Sequence, residues 1–225
     1  MQFSIAGVNV MIAVPVNRDF PWQTTKSLLD TGHALCERGI PYSVQFVTGG
    51  SLVEKVRSLL AHAFLKSNAN KLFWIDSDMA WDAKDFIRLL TFSTVMDVVG
   101  ATYPAKRGPA TEFLMDIDTR VGTNEFGCLP VKGMGLGFTV VRRSVIEVLA
   151  QQAPKVKEGD EEVAMIFRNE IADGVFRGED MTFFADCQKL GVETWVDPSI
   201  EIGHVGAKEY RGALKQALRK VEQAA

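Results

Sequence analysis

Leu72, Phe73, Trp74 and Ile75 form an unbroken apolar run that ends in two carboxylates, Asp76 and Asp78. Such a run with no polar alternate reads as a strand buried on both faces, which belongs inside a sheet covered by helices. Successive strand residues point to opposite faces, so Asp76 and Asp78 share one. Two like charges held so close repel unless a cation sits between them. A divalent metal carrying a phosphorylated ligand suits that position. Asp-x-Asp at a strand end is also ordinary loop punctuation, with one Asp turning the chain and another capping the next helix. Here Asp82 already serves as N-cap for a helix over 83–90, with Asp85 at N3, so neither Asp76 nor Asp78 is needed for that purpose.

The chain before this run alternates between two periods. Residues 10–16 are apolar, β-branched and bounded by Pro15 and Asn17, a buried strand. Residues 21–38 place Leu28, Leu29, Ala34 and Leu35 at helical spacing, with Gly39 beyond the end. A second strand over 42–47 breaks at Gly49-Gly50-Ser51, and Ser51 with Glu54 forms a capping box for a helix over 52–66. After the Asp pair come the 83–90 helix and a strand over 96–101. This β-α-β-α-β-α-β order predicts an α/β fold with a mostly parallel central sheet between two helical layers. Ligands in such sheets bind beyond the carboxyl ends of the strands, which brings the loops 15–19, 48–51 and 76–79 to one edge.

The second half is less regular. Residues 103–130 read as a long, mobile connection with a short hairpin. A strand is expected over 132–141, where Gly133, Gly135 and Gly137 clear one face for the approach of another body. This is not the dinucleotide fingerprint, because the glycine spacing differs and a strand follows. A helix over 144–151, a polar loop over 152–160 and a short strand over 163–167 come next. Gly178-Glu179-Asp180 opens an amphipathic helix stopped by Gly191. Short strands over 194–196 and 200–202, the second running toward His204, precede a charged helix over 208–223.

A length of 225 residues suits one large α/β domain, and a net charge of −3 argues against a generally basic nucleic-acid binder. Cys36, Cys128 and Cys187 are scattered and form no CxxC pair, which fits a reducing compartment without a disulfide framework. The apolar stretch 5–16 is too short to span a bilayer and lacks the flanks of a signal peptide. The expectation is a cytoplasmic protein with no membrane partner.

Three further spots could carry chemistry. Glu179 and Asp180 stand at a helix N-terminus, either as simple caps or as carboxylates that face a substrate hydroxyl and take its proton. His204 follows a strand end between small residues. Alone it reads as structural, whereas beside a carboxylate site it suits Mn²⁺ together with phosphate oxygens. Arg57 faces either solvent or the ligand edge, and Lys106 and Arg107 either meet phosphate or solvate a loop.

In this order VPVNR, LFWIDSDM, GMGLGF with Arg142-Arg143, GEDMTFFADCQKLG and VDPSIEIGHVG resemble the GT-A-fold glycosyltransferases, particularly small bacterial and phage members related to family 2. The similarity runs from Val10 to Gly206. It implies a single catalytic domain over 1–206, with a nucleotide-binding half to about residue 102, an acceptor half over 103–206 and a C-terminal helix over 207–225. It also implies Mn²⁺ (or Mg²⁺) and a UDP- or GDP-linked nucleotide-sugar donor. Asp78 resembles the direct metal ligand, Asp76 the residue at the ribose or the metal's water shell, and His204 the histidine completing the metal site. Asp180, with Glu179 beside it, resembles the general base of inverting members. Pro15, Val16, Asn17 and Arg18 resemble the nucleotide-base loop, with Ser77 also on the nucleotide sugar, while Gly135 and Gly137 would flank the donor sugar. Arg57 resembles a helix arginine near the nucleotide, although members often carry Arg-x-Arg-Asn where this chain has Val56-Arg57-Ser58-Leu59.

The implied reaction is transfer of a hexosyl or pentosyl unit to an acceptor hydroxyl on a saccharide, small molecule, protein or, as in phage-type enzymes, a hydroxymethylated DNA base. A nucleotidyltransferase and a catalytically silent nucleotide-binding module are the alternatives. The first would usually carry a Gly-rich basic loop after the first strand, which VPVNRDFPW is not.

Overall fold

The computed structural model describes residues 4–17, 20–106, 112–172 and 174–218. Arg18, Arg107, Gly108, Pro109, Arg219 and Lys220 lie outside the described residues.

The strands β1 (Val10–Val16), β2 (Tyr42–Thr48) and β3 (Lys71–Ile75) run parallel with β1 in the middle. The helices α1 (Trp22–Glu37) and α2 (Val53–Lys66) connect them. After β3 come β4 (Met79–Ala80), α3 (Ala83–Phe92) and β5 (Val98–Gly100). Then follow β6 (Met115–Ile117), β7 (Leu129–Met134), β8 (Phe138–Arg142) and α4 (Arg143–Gln152).

Two small hairpins follow, β9 (Lys155–Glu158) with β10 (Glu161–Ala164) and β11 (Glu170–Ala172) with β12 (Val175–Arg177). The chain continues with α5 (Glu179–Lys189), β13 (Thr194–Val196), β14 (Glu201–Val205) and β15 (Glu209–Ala213).

The central sheet has the order β2-β1-β3-β8-β5-β13-β7-β6. Only β8 and β7 run against the common direction, so the sheet is mostly parallel, as the alternation of elements predicts. Period-two alternation along its strands feeds two separate cores. Val10, Ile12, Val14, Phe73 and Ile75 pack with residues of α1 and α3. Met11, Ala13, Leu72 and Trp74 point the other way, into a core shared with α2, α4 and α5. The result is a three-layer α/β/α sandwich whose strands are buried because both faces are covered.

The structure departs from the sequence reading most clearly in four places. The single strand expected over 132–141 is two strands, β7 and β8, broken at Gly135-Leu136-Gly137. They occupy different places in the sheet, β7 beside β13 and β8 between β3 and β5, and an apolar, glycine-dotted run carries no mark of such a crossing. The charged helix expected over 208–223 begins instead as β15, which pairs with β14 from Glu201↔Ala213 to Val205↔Glu209. Tertiary pairing overrides helix propensity there, and helical backbone appears only over 214–218 among the described residues. The polar loop over 152–160 contains β9, turned back at Gly159, where φ is +61°. Finally, Leu52 rather than Ser51 is the N-cap of α2 and no side chain caps it, so the expected capping box does not form.

Candidate active site

The carboxyl ends of β1, β2 and β3 open onto one edge, as expected for the loops after these strands. Met79 N–H donates to the Asp76 carbonyl at 3.2 Å, turning the chain tightly from β3 into β4. The antiparallel partner of β4 is β14, with His204 opposite Met79, and Val205 N–H donates to the Asp78 carbonyl at 2.8 Å. This register sets His204 beside Asp78, with Nε2 3.7 Å from Asp78 Oδ1. The other ring nitrogen, Nδ1, lies 2.9 Å from the Pro104 carbonyl oxygen. A carbonyl only accepts, so Nδ1 carries a proton; Nε2 faces the carboxylate, donating to it as the N–H of the imidazolium and turning a lone pair into the site once that proton is lost. The second Asp78 oxygen is ion-paired with Lys106. Although burial would raise the Asp78 carboxyl, His204 and Lys106 hold it below the usual carboxylate range.

Asp76 faces a different cation. Arg57, on α2, is only 2 % exposed and donates from Nη2 to Asp76 Oδ1 at 2.8 Å. The same guanidinium reaches Glu179 Oε1 from Nε at 3.4 Å and Asp180 Oδ1 from Nη2 at 3.5 Å. Trp74 supplies an aromatic face 5.5 Å from the guanidinium carbon. Burial opposes the Arg57 charge, yet Asp76, Asp180 and Glu179 together hold its proton more firmly than usual. One cation among three carboxylates leaves negative charge in surplus. Burial accordingly pushes the Asp180 carboxyl up to about 7 against the pull of Arg57, with Glu179 and Asp76 adding to the rise. Asp180 Oδ2 accepts from Leu136 N–H at 3.3 Å. Its Oδ1 makes no hydrogen bond among the described residues, and neither does Arg57 Nη1.

Tyr103 is the residue that sequence reasoning missed. Its hydroxyl donates to Asp76 Oδ2 at 3.3 Å and accepts from Gly137 N–H at 3.3 Å. Its ring meets His204 edge-on at 4.9 Å between centroids. The alternate glycines predict that some body approaches that backbone, and at Gly135 and Gly137 that body is Tyr103, while Gly133 faces Met181. A Cβ on Gly137 would lie 2.5 Å from Asp76 Oδ2 and 2.8 Å from the Tyr103 hydroxyl, and one on Gly135 would also meet that hydroxyl.

Two cavities meet at this cluster. One, of about 550 Å³, is lined by Pro15, Val16, Asn17, Arg57, Asp76 and Ser77. The other, of about 700 Å³, is lined by Leu114, Met115, Met134, Gly135, Met181 and Lys106. Tyr103, Glu179, Asp180 and His204 border both. Each candidate site residue named from the sequence therefore lines these cavities or touches their lining, apart from Arg18 and Arg107, which are outside the described residues.

Among the described residues no group of three or more His, Cys, Asp and Glu side chains forms a complete metal cage. Asp78 and His204 stand together, while Asp76 is committed to Arg57 and Tyr103. The pair fits a divalent cation by its chemistry, since a carboxylate and an imidazole lone pair converge. The carbonyl behind Nδ1 fixes the ring as outer partners of metal-bound histidines do. The remaining positions would fall to a ligand's oxygens and water.

The α/β architecture with its large, mostly parallel central sheet matches the GT-A fold. The chain superposes on GalNAc-T7, solved with UDP, GalNAc and Mn²⁺, with a TM-score of 0.50 at 12% identity, covering 96% of this chain. It spans about half of that protein, 48% of its length. A Drosophila beta-1,4-galactosyltransferase 7 mutant, solved with manganese, UDP-Gal and xylobiose, matches at TM-score 0.43 and 11% identity over 95% of this chain and 74% of the other. The 4-diphosphocytidyl-2C-methyl-D-erythritol synthase of Anaerococcus prevotii matches at TM-score 0.37 and 10% identity over 82% of this chain and 98% of the other. No family model matches the sequence, and no curated protein matches it.

Proposed function

We propose that the protein is a metal-dependent glycosyltransferase that moves a hexosyl or pentosyl unit from a UDP- or GDP-linked donor to an acceptor hydroxyl. The observation that carries this reading is the meeting of the Asp78–His204 pair and the Arg57-centred carboxylates at the junction of two cavities. Asp76, Asp78, Glu179 and Asp180 against Arg57 and Lys106 leave the junction negative, so a bare diphosphate is repelled and enters with its cation. Asp78 and His204 would hold that Mn²⁺ or Mg²⁺ ion, which supplies stabilisation of charge on the departing diphosphate.

The nucleotide occupies the cavity lined by Pro15, Val16, Asn17 and Ser77, with Arg57 holding Asp76 in place behind it. The acceptor enters the other cavity, whose methionine and leucine side chains suit the apolar face of a sugar ring. Asp180, between the two, takes the proton from the acceptor hydroxyl, and its raised pKa matches that task near neutral pH. Attack from the face opposite the nucleotide then gives inversion.

Among the described basic residues, Arg142, Arg143 and Arg211 are engaged within the chain. Arg142 pairs with Asp97 at 2.8 Å, Arg143 donates to the Phe64 and Ala69 carbonyls at 2.8 and 2.7 Å, and Arg211 donates to Glu209 at 2.8 Å. A saccharide or small-molecule acceptor is the reading we favour. No helix among the described residues is long and apolar enough to cross a membrane.

A panel of nucleotide sugars assayed by mass spectrometry, with and without Mn²⁺, tests the proposal. Mn²⁺-dependent release of UDP or GDP supports it. Release of pyrophosphate from a nucleoside triphosphate and a sugar phosphate would move the protein to the nucleotidyltransferases. Nucleotide binding without turnover of any donor would make it a silent module.

A further inference from the structure

We infer that Lys106 is a resident cation of the metal site, which a divalent ion must displace, and that this displacement makes metal binding depend on the nucleotide. The inference rests on the metal-site reading above.

The Lys106 ammonium is ion-paired with Asp78 Oδ2, and the two side chains are 34% and 31% exposed, so the pair is only partly screened by water. The segment behind it is pinned. Pro104 bridges Phe113, and Ala105 N–H donates to the Glu112 carbonyl at 2.8 Å. The Lys106 stem lies against Gly206, where a Cβ would come within 3.2 Å of Lys106 Cδ. Gly206 thus leaves a path by which the ammonium reaches Asp78 beside His204.

A divalent ion held by Asp78 and His204 Nε2 would stand next to this ammonium and repel it. The metal alone therefore binds against the loss of an existing ion pair. The displaced ammonium stays near on its four-carbon stem, and the anion available in the cleft is the nucleotide's diphosphate. Metal and nucleotide then each favour the other's binding, a reciprocal relation by thermodynamic necessity.

The experiment is a Mn²⁺ titration followed by electron paramagnetic resonance on the full chain, alone, with UDP and with GDP. It compares wild type, Lys106→Met, Lys106→Arg and Asp78→Asn. Methionine keeps an apolar stem against Gly206 and removes the charge. Wild type is expected to bind Mn²⁺ weakly alone and more tightly with at least one nucleotide. Lys106→Met is expected to bind Mn²⁺ alone about tenfold more tightly, as one unit charge at close range implies, and to lose a similar factor of the nucleotide's enhancement. Lys106→Arg should behave as wild type.

If Mn²⁺ affinity and nucleotide enhancement are unchanged in Lys106→Met while Asp78→Asn abolishes binding, the role of Lys106 is wrong and the metal site stands. Weaker Mn²⁺ binding alone by Lys106→Met would likewise overturn it, marking Lys106 as a structural support. If wild type and Asp78→Asn bind no Mn²⁺ under any condition, the metal-site reading itself fails.

Discussion

Arg57 Nη2 donates to Asp76 Oδ1 at 2.8 Å from a guanidinium that is almost wholly buried, and the same group faces Glu179 and Asp180. Removing it leaves three carboxylates together without a counter-charge. Arg57→Met is expected to destabilise the protein by about 3–5 kcal/mol at pH 8, the usual loss when one partner of a buried ion pair is deleted. Without the arginine the Asp180 carboxyl, which burial already raises, loses the pull of Arg57 and rises further, so the folded variant takes up a proton as pH falls. The loss should shrink at pH 5. Urea unfolding at both pH values measures it, and an equal loss at the two would mean that Arg57 acts through packing alone.

Asp180 gives a second pH signature. Its folded pKa, about 7, lies well above the ordinary range of an aspartate. Stability from the protonated form is therefore fully present below the unfolded value and lost as pH rises through about 7. Asp180→Asn is permanently neutral, so its thermal stability relative to wild type should be higher at pH 8 than at pH 5. The same substitution removes the proposed base and should cut transfer by at least about a hundredfold. In wild type, kcat should rise with pH through the region near 7. A profile flat across that region would remove Asp180 from the base role.

Much of this site was legible because its parts sit at element boundaries that sequence marks clearly. The apolar run into Asp76 and Asp78, the Gly178-Glu179-Asp180 helix start and the glycine-flanked His204 all lie where strands or helices begin or end, and the structure gathers them. The hidden parts depend on pairing between distant segments. Nothing local to Tyr103 shows that its hydroxyl will lodge between Asp76 and Gly137, and Arg57 reads as an ordinary helix charge until α2 is placed over Trp74. The strand β15 is similar, because only its register with β14 distinguishes it from a charged helix.

The lodging of Tyr103 makes Gly137 a sensitive position. A Cβ at Gly137 would sit 2.5 Å from Asp76 Oδ2 and 2.8 Å from the Tyr103 hydroxyl, and both belong to the site's own hydrogen bonds. Gly137→Ala is expected to cost about 1–3 kcal/mol of stability, as overpacking does, and to lower kcat because Asp76 is pushed from its place. Gly122→Ala meets nothing within 4 Å and serves as the control in paired denaturation and rate measurements.

Arg143 tests the claim that the Arg142-Arg143 pair is structural. Its guanidinium donates to Phe64 O at 2.8 Å, Ser67 O at 2.6 Å and Ala69 O at 2.7 Å, closing the carbonyls where α2 ends, and stacks 4.6 Å from the Phe64 ring. Arg143→Ala should lower stability by about 2–4 kcal/mol, since several partly buried carbonyls lose a charged donor together. Binding of duplex DNA, if any is found, should keep its salt dependence in this variant. A marked fall in the salt slope would instead place Arg143 on a phosphate-contacting face.

Metal linkage separates the two aspartates. Anything that binds only the folded state raises its stability, by about 2.7 kcal/mol when its concentration is a hundred times the dissociation constant. Mn²⁺ added with UDP or GDP should therefore raise the melting temperature of the wild type beyond the nucleotide alone, and excess EDTA should reverse the increment. Asp78→Asn and His204→Ala should lose it, because together these side chains form the only carboxylate–imidazole contact lining the cavity of Asn17 and Ser77 among the described residues. Asp76→Asn should keep most of it, because Asp76 is held by Arg57 and Tyr103 rather than turned to His204. Differential scanning fluorimetry across these variants decides the matter. Loss of the increment in Asp76→Asn equal to that in Asp78→Asn would return Asp76 to the metal's ligands.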